Sequence, residues 1–125
     1  MENQRILLVE DDADLRWLFR TALALAGYDV DEAGDGLDAL RLVESRTPDL
    51  VVLDLVLQSL DGVSVRQELA ARGRTSQIPV VIVTGSNIDT DPLDVACVLH
   101  KPIMPDELVE TVRRCLSQGT SASCA

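Results

Sequence analysis

The chain has 125 residues with 46% hydrophobic and 2% aromatic content, enough for one domain with a real core but not for an aromatic platform that stacks bases or sugars. Its 21 acids against 11 basic residues give a formal net charge of −10, and without a basic cluster no direct nucleic-acid binding is expected. The longest apolar runs fall far short of a membrane span and the polar start Met1-Glu2-Asn3-Gln4-Arg5 is no secretory signal, so the expectation is a cytoplasmic protein with no membrane association.

Residues 6–9, Ile-Leu-Leu-Val, form a short apolar run between charges, which suits a buried parallel strand. Asp12-Ala13-Asp14 offers a helix N-cap, with Asp12 as the capping residue. Leu15, Leu18, Phe19, Ala22, Leu25 and Ala26 then recur at helical spacing until Gly27 stops the helix. Trp17 is expected to be partly buried on it. Residues 28–33 alternate in part and predict a second strand, and Gly34-Asp35-Gly36 turns the chain. Leu37, Leu40 and Val43 mark a second helix that closes before Pro48.

Residues 50–53, Leu-Val-Val-Leu, are the most apolar strand candidate and the expected centre of the sheet. Asp61-Gly62 is a turn signal, and Val63, Val65 and Leu69 suggest a third helix. Pro79 introduces a fourth strand at 80–83, and a fifth is expected at 95–99. Pro105 suits the first position of a last helix carrying Leu108, Val112 and Leu116, whose positive end Asp106 and Glu107 complement. Between Thr84 and Val95 no apolar helical stripe exists, so the fourth crossover is expected as a loop or single turn in place of a full helix. Residues 1–118 form the expected domain and 119–125 a disordered tail. Cys97, Cys115 and Cys124 lack metal-ligand spacing. Reduced thiols are expected, the first two in the core.

Strand and helix alternate almost throughout, which predicts an α/β fold with a parallel sheet and helices on both faces. Parallel strands bring their C-terminal ends to one edge. There Glu10, Asp11 and Asp12 follow the first strand, Asp54 follows the third, and Lys101 precedes Pro102 after the fifth. Carboxylates crowded in this way repel unless a cation joins them. Mg²⁺ held by one or two carboxylates together with phosphate oxygens is the usual solution, so the pattern points to phosphoryl chemistry.

Five landmarks in order carry a resemblance: Val9-Glu10-Asp11-Asp12 with Leu15-Arg16 following, Leu53-Asp54-Leu55, Asp61-Gly62, Thr84 closing an apolar strand, and Lys101-Pro102. From about residue 5 to 116 the chain resembles a receiver domain of a two-component response regulator. The resemblance implies a doubly wound, flavodoxin-like sheet of order 2-1-3-4-5. It implies that Asp54 is the phosphoacceptor, modified by a histidine kinase, a histidine phosphotransfer protein or a small acyl phosphate. Asp11 would bind Mg²⁺ directly, Glu10 largely through water, and Asp54 and the Val56 carbonyl would complete the protein's share. Lys101 and Thr84 would hold the phosphoryl oxygens, and Lys101-Pro102 is expected as a cis peptide. His100 is expected to be exposed and not a phosphoryl carrier.

Several positions depart from the family's pattern. Val98 stands where an aromatic usually swings inward, Gln58 where a proline is common, and Met104 replaces a polar cap. With the fourth helix reduced, the face that usually carries output is altered while the chemical set is intact. Two other functions compete. A hydrolase with an aspartate nucleophile needs a second acid two residues later, and Val56 cannot move a proton. A degenerate receiver would bind a partner without phosphorylation. The expectation is thus a phosphoacceptor, not a turnover enzyme, that phosphorylates itself with Mg²⁺ and loses phosphate slowly because Val56 cannot orient water. Its downstream protein target is not specified by the sequence.

Overall fold

The computed structural model describes residues 3–57, 61–73, 75–85 and 95–118. The expected reduction of the fourth helix, Gln58 and the expected tail at 119–125 lie outside the described residues. Strands β1 (Arg5–Val9), β2 (Asp29–Ala33), β3 (Leu50–Leu53), β4 (Val80–Thr84) and β5 (Cys97–His100) pair in parallel in the order β2-β1-β3-β4-β5. Helices α1 (Ala13–Leu25), α2 (Gly36–Ser45), α3 (Gly62–Ala71) and α4 (Pro105–Gln118) cover the two faces. This is the expected doubly wound, flavodoxin-like arrangement.

Alternation along each strand divides the core. Ile6, Leu8, Leu50, Val52, Val81 and Val83 pack with Phe19 and Leu23 of α1 and with Leu108, Val112 and Cys115 of α4. Leu7, Val9, Val51, Leu53 and Ile82 face the opposite way, onto Ala39 and Val43 of α2 and Val65 and Leu69 of α3. β1, β3 and β4 are thus buried on both faces, and their continuous aliphatic runs follow from that position. Capping sets where the helices begin. Asp12 accepts from the amides of Asp14 and Leu15, Asp35 from Asp38 and Asp61 from Ser64, each satisfying an otherwise orphaned donor.

Several local expectations need correction. On α1, Leu18 and Leu25 are exposed at 40% and 84%, and the residues that enter the core are Phe19 and Leu23, one turn apart. Trp17 is 61% exposed, not partly buried. On α2, Leu37 is exposed while the smaller Ala39 is fully buried. β5 begins at Cys97 and not at Val95. Cys115 is free and buried as expected, but Cys97 is disulfide-bonded, which overturns the reduced-thiol reading at that residue. The last turn of α1 ends in Gly27, whose φ of +102° explains why the helix stops at a glycine.

The two-faced burial gives a direct contrast within one fold. Leu8→Ala, at 1% exposure, is expected to cost about 2–5 kcal/mol in urea unfolding. Leu25→Ala on the outer face of α1 is expected to stay within about 0.5 kcal/mol of the parent. Equal losses would contradict the assignment of α1's buried face.

Candidate functional site

Register fixes which residues meet at the C-terminal edge. Val9 pairs with Leu53, so Glu10 and Asp54 leave their strands at one level, and Thr84 pairs with His100, one residue before Lys101. The ladder continues one step past the strands through Glu10 N–H to Ala33 O (3.1 Å), Asp54 N–H to Val9 O (3.1 Å) and Lys101 N–H to Thr84 O (2.9 Å). Glu10, Asp54 and Lys101 therefore each sit on backbone held by a neighbouring strand.

The sequence-predicted residues converge. The Lys101 ammonium lies 2.7 Å from Glu10 Oε1 and 2.9 Å from Asp54 Oδ2. Glu10 Oε2 accepts from the Asp12 amide at 3.2 Å, and Asp54 Oδ1 from the Val56 amide at 3.1 Å. Glu10 and Asp54 are buried, whereas Asp11 is exposed. One carboxylate oxygen from each of the three lies within 4.8 Å of the others. Thr84 is fully buried at the end of β4, and the Lys101-Pro102 peptide is cis as expected. Asp12 caps α1 and His100 is exposed, also as expected. The Val56 side chain is 54% exposed at the mouth of the site. Val98, half-buried on β5, packs against the core beneath α2 and α3.

Sequence reasoning missed two supports. Gly62 is more than a turn residue: its amide donates to Leu55 O at 3.0 Å. A Cβ there would overlap the Asp54 carbonyl oxygen and stand 2.5 Å from Leu55 Cα, so only glycine lets α3 start against the loop that bears Asp54. The signal is the Asp61-Gly62 pair itself, which the sequence offers as a turn and a family landmark but not as a packing position. Arg16 also reaches back to the site, where its guanidinium donates to Glu10 O at 2.7 Å. Its place after Leu15 was noticed, but one sequence could not show what it touches.

Electrostatics make this a strained set of acids. Three carboxylates face a single ammonium. Burial raises the Glu10 pKa to about 6; the nearby Asp54 charge adds to the rise, against the lowering hydrogen bonds from Lys101 and the Asp12 amide. Burial alone would lower the Lys101 pKa, but its hydrogen bonds to Glu10 and Asp54 outweigh that and hold it above the usual value. Hard oxygen ligands with surplus negative charge suit a divalent cation such as Mg²⁺. Because the folded Glu10 pKa is raised, the folded state binds more protons than the unfolded chain between pH 4.5 and about 6. Stability without metal should therefore be greatest below that window and fall as pH rises through it. Glu10→Gln is expected to flatten this fall in melting temperature between pH 4 and 7. An unchanged pH profile would show that another group carries it.

Residues 6–113 match the response regulator receiver domain family. Among curated relatives, the DNA-binding response regulator MtrA of Mycobacterium tuberculosis is 40% identical over 118 residues, covering 88% of this chain and 49% of that protein. A probable transcriptional regulator, ycf27 of Porphyridium aerugineum, is 35% identical over 98% of this chain and 52% of its own length. The chain thus spans about half the length of these relatives. Among solved structures, a sensor protein from Polaromonas superimposes with a TM-score of 0.85 at 30% identity, covering 94% of this chain and 98% of that one. The receiver domain of a Pseudomonas aeruginosa sensor histidine kinase, solved with magnesium in its active-site cleft, gives 0.85 at 28% identity, covering 93% and 99%. Ordered acids, glycine, threonine and lysine on a 2-1-3-4-5 sheet agree with these matches, and the chain belongs to the response regulator receiver domains of two-component signal transduction.

Proposed function

We propose that this domain accepts a phosphoryl group on Asp54 from a histidine kinase, a histidine phosphotransfer protein or a small acyl phosphate. The observation that carries the reading is the Lys101 ammonium seated 2.9 Å from Asp54 in a cluster of three carboxylates. Asp54 Oδ attacks the phosphorus, the bond from phosphorus to the donor nitrogen or acyl oxygen breaks, and the donor departs with the bonding pair. Lys101 then follows the growing charge on the phosphoryl oxygens, and the Thr84 hydroxyl at the end of β4 donates to one of them.

Asp11, Asp54 and the Val56 carbonyl are the proposed Mg²⁺ ligands, with Glu10 acting largely through water. Bound there, Mg²⁺ supplies positive charge to the phosphoryl oxygens in flight. Support comes from the chemistry of the donor set and from the magnesium in the similar Pseudomonas receiver. The product is a signal, not a turned-over substrate. Val56 presents an apolar side chain where an acid or amide would orient water, so the aspartyl phosphate is expected to be long-lived.

We place the domain in the cytoplasm, where its kinase partner would present phosphohistidine. Among the described residues no helix is long and apolar enough to cross a membrane. The −10 charge argues against these residues holding nucleic acid themselves. DNA binding is named for MtrA, a protein about twice this length.

Intact-mass spectrometry after incubation with acetyl phosphate tests the reading. A phosphate-sized gain is expected with Mg²⁺, and none in Asp54→Asn or without the metal. After donor removal, Val56→Asn should lose the added mass several times faster than the parent. No gain under any condition would favour a receiver that binds its partner without phosphorylation, and equal decay rates would remove the role given to Val56.

A further inference from the structure

The acids of the site differ in what holds them. Glu10 is fixed by Lys101 and by the Asp12 amide, and Asp54 by Lys101 and the Val56 amide. The Asp11 carboxylate makes no hydrogen bond or ion pair with any of the described residues, and it is exposed. Its position therefore depends on the main chain that carries it. That main chain is held on one side by Glu10 N–H to Ala33 O and on the other by Arg16 Nη1 to Glu10 O, at 2.7 Å.

Arg16 is itself held. Its Nε lies 3.6 Å from Glu32 Oε1, and Glu32 Oε2 lies 3.5 Å from Nε of Arg20, one turn further along α1. Gly34, just past β2, leaves the guanidinium its space: a Cβ there would stand 3.2 Å from Arg16 Nη1, so the guanidinium would have to give by a few tenths of an ångström. We infer that Arg16, clamped by Glu32 and admitted by Gly34, is a positioning residue that sets the Glu10–Asp11 peptide and so aims Asp11 at the cation. A charge-assisted bond to a carbonyl is strong and directional. The partly exposed Arg16–Glu32 pair adds little to overall stability. Loss of Arg16 should thus act on the site more than on the fold. Outer-sphere groups that orient metal ligands commonly matter about 10–100-fold in affinity.

This inference rests on the Mg²⁺ reading above, and the test separates the two. Mg²⁺ titration calorimetry on the full chain is combined with the ¹³C shift of the Glu10 carbonyl in metal-free protein. Arg16→Met is expected to weaken Mg²⁺ by about tenfold with melting temperature nearly unchanged, and Gly34→Ala, which only shifts the guanidinium, by less. Arg16→Lys, which keeps a donor but loses the fork to Glu32, should fall between. The Arg16→Met/Gly34→Ala double variant should be no weaker than Arg16→Met, since Gly34 acts on the site only through Arg16. Parent-like affinity in Arg16→Met, or additive losses in the double variant, would overturn the inference. If the parent itself takes up no Mg²⁺, the metal reading fails, and the carbonyl shift still decides the positioning role: a shift unmoved by Arg16→Met overturns it.

Discussion

A lysine ammonium between two buried carboxylates governs the chemistry of this domain. Glu10 and Asp54 are both almost fully enclosed, and burying a carboxylate without a partner is costly enough to change its protonation state. Lys101 compensates both at under 3 Å, and the exposed Asp11 leaves the cluster still short of positive charge. Removing the lysine would strand two buried charges, which is worse than never having placed them. In the function proposed above, the same imbalance would make the site receptive, because a cation and a phosphoryl group together offer the charge and the acceptors that the acids and the lysine lack.

The sheet exists in the form that allows this meeting. Parallel pairing of β1, β3, β4 and β5 puts their C-terminal ends at one edge, and in-register ends of β1 and β3 bring Glu10 and Asp54 level. Aliphatic strands buried on both faces keep that edge rigid. The loops that follow are tied down by small devices: Asp12 capping α1, Asp61 capping α3, and Gly62 packed where no side chain fits. Strands buried on both faces and these anchored positions together hold the carboxylates of Glu10 and Asp54 beside Lys101.

Much of this is legible in the sequence. β1, β3 and β4 announce themselves as aliphatic runs because both their faces are covered, and Glu10, Asp11, Asp54, Thr84 and Lys101 stand at strand ends. The strand order came from the family resemblance and not from periodicity, which carries no information on lateral neighbours. Periodicity also locates α1 but reads only part of its buried face. Its surplus of apolar residues offers more than one stripe, and only packing selects Phe19 and Leu23 over Leu18 and Leu25. Ala39 and Gly62 were undervalued because what they contribute is the absence of bulk. Arg16 was unreadable for another reason: its partner is a backbone carbonyl, which every residue has. The Cys97 disulfide likewise left no spacing signal.

In the proposed function the edge carboxylates and Lys101 form one cation-assisted phosphoryl site. Its most direct test is a crystal soaked in Mn²⁺, a stand-in for Mg²⁺ that anomalous scattering can locate. The expected result is a single peak bonded to Asp11, Asp54 and the Val56 carbonyl, with Lys101 still beside Asp54. A peak elsewhere, or none at saturating Mn²⁺, would contradict the account.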